Sequence, residues 1–329
     1  MPLGMEAVEE AAARIAGQVL RTPLVPLPGL SRALGGEILA KPEYLQPPGS
    51  FKLRGAANAL LQLDREQRAR GVIAVSTGNH GRAVAFMARR LGIACTVCMS
   101  ALVPANKRAG VAAEGAEIRI LGRSQDEAQS EVDRLVGERG LTEISPFDDP
   151  AVIAGQGTIG CEILADLPAA DRILVPLSGG GLAAGIGLVV KALAPRTRVI
   201  GISMARGAAM HASLRAGHPV EVEEQETLAD CLGGGIGLAN RYSFPMVQQF
   251  VDDVILVSEE EIAAAIAALY RQEQIVCEGA AAVGLAALMA GRSSAAGKTV
   301  LILTGRNIDM GLHHRLTAVP APANPAQEA

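Results

Sequence analysis

Three short segments of this chain hold residue types that do chemistry. In PPGSFKLRGA, residues 47–56, Lys52 stands one or two residues into a helical pattern, beside Ser50, Phe51 and Arg54. The first turn of a helix carries the positive end of the backbone dipole. An ammonium there is disfavoured, which biases the amine toward its neutral, nucleophilic form. A neutral amine can form a Schiff base with a carbonyl. A lysine taken alone is more simply read as a solvated surface group, so Lys52 gains weight only from its companions.

The second segment is RILVPLSGGGLAAGIGLVVKAL. A strand runs into a glycine-rich turn, Ser178, Gly179, Gly180, Gly181 and Leu182, at the start of a helical pattern. Bare backbone N–H groups and the helix dipole favour an anion there, and glycines let its oxygens come close. A dinucleotide loop would need an acidic ribose partner about twenty residues on, but the next strand, RVIGISM, ends in Ser203 and Met204. No GK[ST] follows, which excludes a P-loop. A single phosphate monoester, such as that of pyridoxal phosphate (PLP), fits better, and a turn that merely packs stays open. The third segment, AVSTGNHGRAVAFMARRLG, ends a strand in Ser76 and Thr77 before Gly78, Asn79 and His80. Such strand ends are where open parallel sheets receive ligands. Asn79 could equally be a helix cap and His80 a satisfied first-turn residue.

These loops need a layered scaffold. Apolar runs at 71–76, 93–99, 117–122, 172–178, 198–204, 253–258 and 298–304 alternate with helix-like segments. That rhythm predicts an α/β fold with mostly parallel sheets covered on both faces. A helix is expected at about Ala7 to Val19, a strand in EILAKPEYL, and a helix in FKLRGAANALLQL. LTEISPFDDP, 141–150, reads as a crossing between subdomains, and the stretch after Leu316 as a disordered tail. The chain has 329 residues, 49% of them hydrophobic and only 8 aromatic, so Ala, Leu, Ile and Val must fill its core. A net charge of −4 argues against a nucleic-acid partner. No uninterrupted apolar run is long enough to span a membrane, and the acidic N-terminus lacks a secretory signal, so a cytoplasmic location is expected. Cys95 and Cys98 spell CxxC, but in a strand residues three apart face opposite ways, which argues for packing rather than metal or redox work.

Taken together, SFKLRGA, STGNHG, SGGGLAAG, CEGAAAVG and LTGRNID, in this order and spacing, resemble the fold-type II PLP enzymes of the threonine dehydratase and serine racemase family. The likeness covers about residues 15–315. Within the family, CMSALVPANKRAG, GRSQDEAQSEVDRL, PFDDPAVIAGQGTIG, LGGGIGLANRYSF and LTGRNIDM are most similar to the branch of dehydratases of hydroxyectoine utilisation. The resemblance implies a tryptophan synthase β-like fold of two open, mostly parallel twisted sheets flanked by helices. A large PLP-binding domain would comprise 1–70 and 150–316, a small domain 71–149, and a disordered tail 317–329.

It also implies that Lys52 holds PLP as a Schiff base, with Phe51 against the ring and Asn79 on the ring hydroxyl. The 178–182 loop would take the phosphate, Thr304 the pyridine nitrogen, and Glu278 would face the cofactor. Ser76, Thr77, Asn79 and His80 would receive the substrate carboxylate, and freed Lys52 would remove the α-proton before the β-hydroxyl leaves. The keto acid and ammonia follow by hydrolysis. The implied substrate is a 3-hydroxy amino acid, a hydroxylated diaminobutyrate derivative of hydroxyectoine breakdown. The alternative is a catabolic L-threonine or L-serine dehydratase with racemase side activity. A homodimer is implied, and an end so soon after the catalytic unit leads us to expect no regulatory domain.

Three departures stand out. Thr77 occupies the position of a racemase serine. Met204 and Met210 fall where some relatives bind a divalent cation, so no metal is expected, because thioethers are poor ligands for Mg or Ca. Cys231 replaces a family glycine.

Overall fold

A computed structural model describes residues 3–76 and 78–318. Its strands are β1 (Val25–Pro26), β2 (Glu37–Lys41), β3 (Val72–Val75), β4 (Cys95–Met99), β5 (Glu117–Ile120), β6 (Thr142–Glu143), β7 (Arg172–Pro176), β8 (Arg198–Met204), β9 (Asp253–Val257) and β10 (Lys298–Ile302). They form a six-stranded sheet, β1-β2-β10-β7-β8-β9, and a four-stranded sheet, β5-β4-β3-β6. Every pairing is parallel except that of β1 with β2. The apolar runs form strands because helices cover both faces: β7 and β10 are buried along almost their whole length.

Three expectations change. The first helix is Met5–Ile15 rather than Ala7 to Val19, because Gly17 turns the chain at φ +75°. The crossing at 141–150 contains β6, which pairs in parallel with Val72 and Ile73. The last helix, Met310–Ala318, runs two residues into the expected tail: Thr317 Oγ1 donates to His313 O, and Arg271 donates to Thr317 O. The rest of that tail lies outside the described residues. Cys95 and Cys98 do face opposite ways. Cys98 packs with Ile73, Val75 and Leu135, and Cys95 with the clusters on the other face. Burial pushes the Cys95 thiol up to about 12 and that of Cys98 to about 11, so both are neutral packing groups. Among the described residues no helix is long and apolar enough to cross a membrane.

Two packings position the chemistry. The helix of Lys52, Lys52–Leu61, lies against the helix Pro150–Asp166, which lies in turn against Gly181–Leu193. The approach is close enough to require glycine: a Cβ on Gly185 would stand 2.5 Å from Ile153 O, and one on Gly155 2.6 Å from Arg54 O. Arg54 fixes the same helix from below. It lies 2.7 Å from Glu43 and 2.7 Å from Glu162, while Lys41 lies 2.5 Å from Glu162. Two cations thus balance two carboxylates, and removal of one partner would strand a buried charge.

Candidate active site

One cleft lies at the C-terminal ends of β3, β7 and β10. It is lined by every site residue expected from the sequence except Thr77, which lies outside the described residues. Phe51 precedes the first residue of the Lys52 helix, and its N–H donates to Thr304 O at 3.0 Å. The end of β10 is thereby tied to the segment that carries Lys52.

Lys52 is the first residue of its helix, with Nζ 2.5 Å from Pro146 O and 5.3 Å from the Phe51 ring centre. Desolvation draws its pKa down to about 8. The nucleophilic form is therefore accessible near neutrality.

Gly180, at φ +92°, precedes the helix Gly181–Leu193, and no side chain caps that helix. Its first N–H groups lack intrahelical partners and border the cleft. The glycines also admit Phe147: a Cβ on Gly179 would stand 2.1 Å from the Phe147 ring.

Ser76 is turned inward on its own loop. Its Oγ accepts from Gly78 N at 2.9 Å and Gly81 N at 2.8 Å. The Asn79 and His80 N–H groups remain as the donors of that turn. Asn79 is not the cap of its helix, Asn79–Leu91, since Gly78 holds that position. Its side chain instead crosses to Glu278, Nδ2 to Oε1 at 2.5 Å. Likewise Glu278 heads the helix Gly279–Met289 without capping it. Burial raises its pKa, opposed by the Lys107 ammonium 3.5 Å away.

His80 Nε2 lies 2.7 Å from Ile144 O, a group that only accepts, so Nε2 carries the hydrogen. Burial and the Lys52 charge draw its pKa down to about 3, which leaves the ring neutral and Nδ1 an acceptor with no partner among the described residues. Its imidazole is thus unsuited to a carboxylate, and the backbone N–H is what His80 offers one.

Sequence reasoning missed several residues. Gln125, Pro146 and Phe147 line the cleft, and Lys107 stands behind it, 2.7 Å from Asp230 and 2.9 Å from Cys231 Sγ. Asp230, Cys231 and Glu278 are spaced to hold a metal ion, but the Lys107 ammonium already supplies positive charge among them. Burial pushes the Cys231 thiol well up, so it is neutral. Met204 and Met210 are buried, with Met210 packed near Gly180.

The cleft fits PLP. Thr304 Oγ1 is buried there without a partner among the described residues, a polar hole suited to a ring nitrogen. An uncapped helix start suits the phosphate, and an amine of lowered pKa suits the aldehyde. The chain belongs to the pyridoxal-phosphate dependent enzymes, whose family model matches residues 15–305. It is a fold-type II PLP enzyme of the lyase class, with the threonine dehydratase and serine racemase-like architecture. A relative from Sinorhizobium fredii is 54% identical over 315 residues, 95% of each chain. The L-threonine ammonia-lyase of Geobacter sulfurreducens is 44% identical over 304 residues, 92% of this chain and 75% of that one. The solved structure of maize serine racemase superposes with a TM-score of 0.89 at 33% identity, covering 96% of this chain and 97% of that one.

Proposed function

We propose that the chain eliminates water from a small 3-hydroxy amino acid, and that this substrate is a hydroxylated diaminobutyrate derivative from hydroxyectoine breakdown. The observation that carries the elimination is Thr304, a hydroxyl unpartnered among the described residues, where a carboxylate would hold a pyridine nitrogen protonated. When bound, PLP supplies an electron sink conjugated to the substrate's Cα. A hydroxyl partner keeps that sink moderate, which favours departure of the β-hydroxyl over transamination.

The side chains follow as a sequence of tasks. Lys52 would hold the cofactor and, once its amine is free, would take the Cα proton; a pKa near 8 suits a base at neutral pH. The Asn79 and His80 N–H groups receive the carboxylate. Ser76 Oγ, already accepting two N–H bonds, retains its O–H for the substrate. The product left after water departs hydrolyses to a keto acid and ammonia.

Two features bear on the substrate's tail. Glu278, the carboxylate on the cleft wall, is committed to Asn79 and Lys107, so a second free ammonium meets no uncommitted counter-charge among the described lining residues. His80 Nδ1, neutral and unpartnered among the described residues, accepts from an N–H or O–H. Together they favour a tail nitrogen that is uncharged, as in an acylated diamine. The segments CMSALVPANKRAG and LGGGIGLANRYSF support the hydroxyectoine reading.

A second reading is dehydration of L-threonine or L-serine, with racemase side activity if Thr77 protonates the opposite face. Its support is the catabolic L-threonine dehydratase of Escherichia coli, 37% identical over 320 residues and 97% of its length. Cytoplasmic location and a homodimer belong to either reading. Ammonia release from L-threonine, L-serine and free and N-acylated 3-hydroxy-2,4-diaminobutyrate, compared by kcat/KM, decides between them. An advantage of about 100-fold or more for a diaminobutyrate derivative supports the first reading, and preference for threonine overturns it.

A further inference from the structure

The carboxamide of Asn79 can sit either way round, and only one way presents an N–H to the cleft. Glu278 alone does not decide which, because burial raises its pKa and a protonated carboxyl donates as readily as it accepts. The decision comes from elsewhere. Pro48 O can only accept, and Asn307 Nδ2 lies 3.1 Å from it. The Arg82 guanidinium can only donate, and its Nη1 lies 2.8 Å from Asn307 Oδ1. The orientation of Asn307 is therefore forced at both ends. Asn307 Nδ2 donates in turn to Asn79 Oδ1 at 2.7 Å, which turns Asn79 Nδ2 toward Glu278 Oε1 at 2.5 Å. What Asn79 then keeps for the cleft is its second N–H.

Two glycines make room for this relay. Gly49, at φ +82°, would place a Cβ 2.7 Å from Asn307 Oδ1. A Cβ on Gly305 would stand 2.2 Å from Glu278 Oε1 and 3.0 Å from Asn79 Nδ2. Any side chain at either position would break the line of donors.

We propose that Asn307 is a positioning residue that fixes the orientation of the Asn79 carboxamide, so that Asn79 presents a donor to the ring hydroxyl of PLP. The proposal rests on the placement of Asn79 beside that hydroxyl. Asn307→Asp keeps an oxygen for Arg82 but loses both N–H donors, so the Asn79 oxygen loses the donor that fixes it and the second Asn79 N–H is no longer held toward the cleft.

The test loads wild type, Asn307→Asp, Asn307→Ala, Arg82→Met and Asn79→Ala with PLP and reads the ratio of visible to near-ultraviolet cofactor absorbance, kcat, KM and the melting temperature. A donor to the ring oxygen stabilises its anionic, visibly absorbing form. Asn307→Asp and Asn307→Ala are expected to shift the ratio toward the near-ultraviolet, as Asn79→Ala does, and to lower kcat about tenfold with KM within about twofold. Arg82→Met, which leaves the Asn307 N–H groups in place, keeps the wild-type ratio. An unchanged ratio and kcat in both Asn307 variants, beside a shifted Asn79→Ala, overturns the proposal. So does an Arg82→Met shift equal to that of Asn307→Asp, or failure of both Asn307 variants to fold or load where Asn79→Ala loads. An unchanged Asn79→Ala spectrum removes the placement of Asn79 and the proposal with it.

Discussion

Asn79 Nδ2 stands 2.5 Å from Glu278 Oε1, joining the first residue of the helix after β3 to the residue that heads the helix Gly279–Met289, 199 positions later. The bond bridges structure built on the two sheets, and behind it Lys107 supplies the cation, 3.5 Å from Glu278 and 2.7 Å from Asp230. Lys107 and Glu278 are both nearly inaccessible, at 3% and 2% side-chain exposure, so solvent contributes little to screening them.

Replacing Lys107 by Met should therefore destabilise the fold by about 3–5 kcal/mol, since it leaves the buried Glu278 carboxylate uncompensated. The deficit has a defined pH dependence. Burial already raises the Glu278 pKa, and without Lys107 it rises further, so ionisation of that carboxyl costs the folded state more as pH increases. The deficit should be largest at neutral and alkaline pH and should shrink on acidification, as Glu278 takes up a proton. Urea unfolding of wild type and Lys107→Met across pH measures it, and a deficit that grows on acidification is inconsistent with this assignment of charge.

Uptake of PLP by the apoprotein should follow the neutral form of Lys52. With its pKa drawn down to about 8, the neutral fraction falls about tenfold per pH unit below that value. Stopped-flow absorbance after mixing apoprotein with PLP should show the rate rising with pH and levelling above about 8. A rate independent of pH between about 6 and 8 contradicts a titrating Lys52.

Gly179→Ala should weaken both the fold and cofactor retention. The new methyl would stand 2.1 Å from the Phe147 ring, and overpacking of this kind costs about 1–3 kcal/mol. Displacement of the loop also moves the N–H groups meant for the phosphate. Thermal unfolding and PLP content after gel filtration are the measurements. A variant with wild-type stability and full retention would mean that Phe147 yields without effect.

Lys52→Ala should remove turnover and any covalently held visible band while leaving the fold intact, because the side chain is half-buried and among the described residues is hydrogen-bonded only to Pro146 O. The checks are ammonia release and absorbance after gel filtration. Retained turnover contradicts the assignment.

What could be read in the sequence was local. Lys52 in a first turn, the glycine turn at 178–182 and the strand end at Ser76 each announce themselves within a few residues, because helix starts and strand ends have short-range signatures, whereas Thr304 and Glu278 came only with the family resemblance. Asn307, Lys107 and Asp230 have no such signature. Asn307 meets Asn79 across 228 positions, and Lys107 meets Asp230 across 123. The imidazole of His80 shows the same limit. Its residue type suggested a donor, and only contact with Ile144 O, 64 positions away, makes it a bare acceptor. β6 escaped notice for another reason: two residues, Thr142 and Glu143, are too few to show a period.

The most direct test is to reduce the PLP-loaded protein with borohydride, digest it and locate the pyridoxyl group by peptide mass. The group is predicted on the peptide containing Lys52. Attachment at Lys107, the other lysine beside the cleft, or no attachment at all, would contradict the assignment of Lys52 as the residue that holds the cofactor and moves the α-proton.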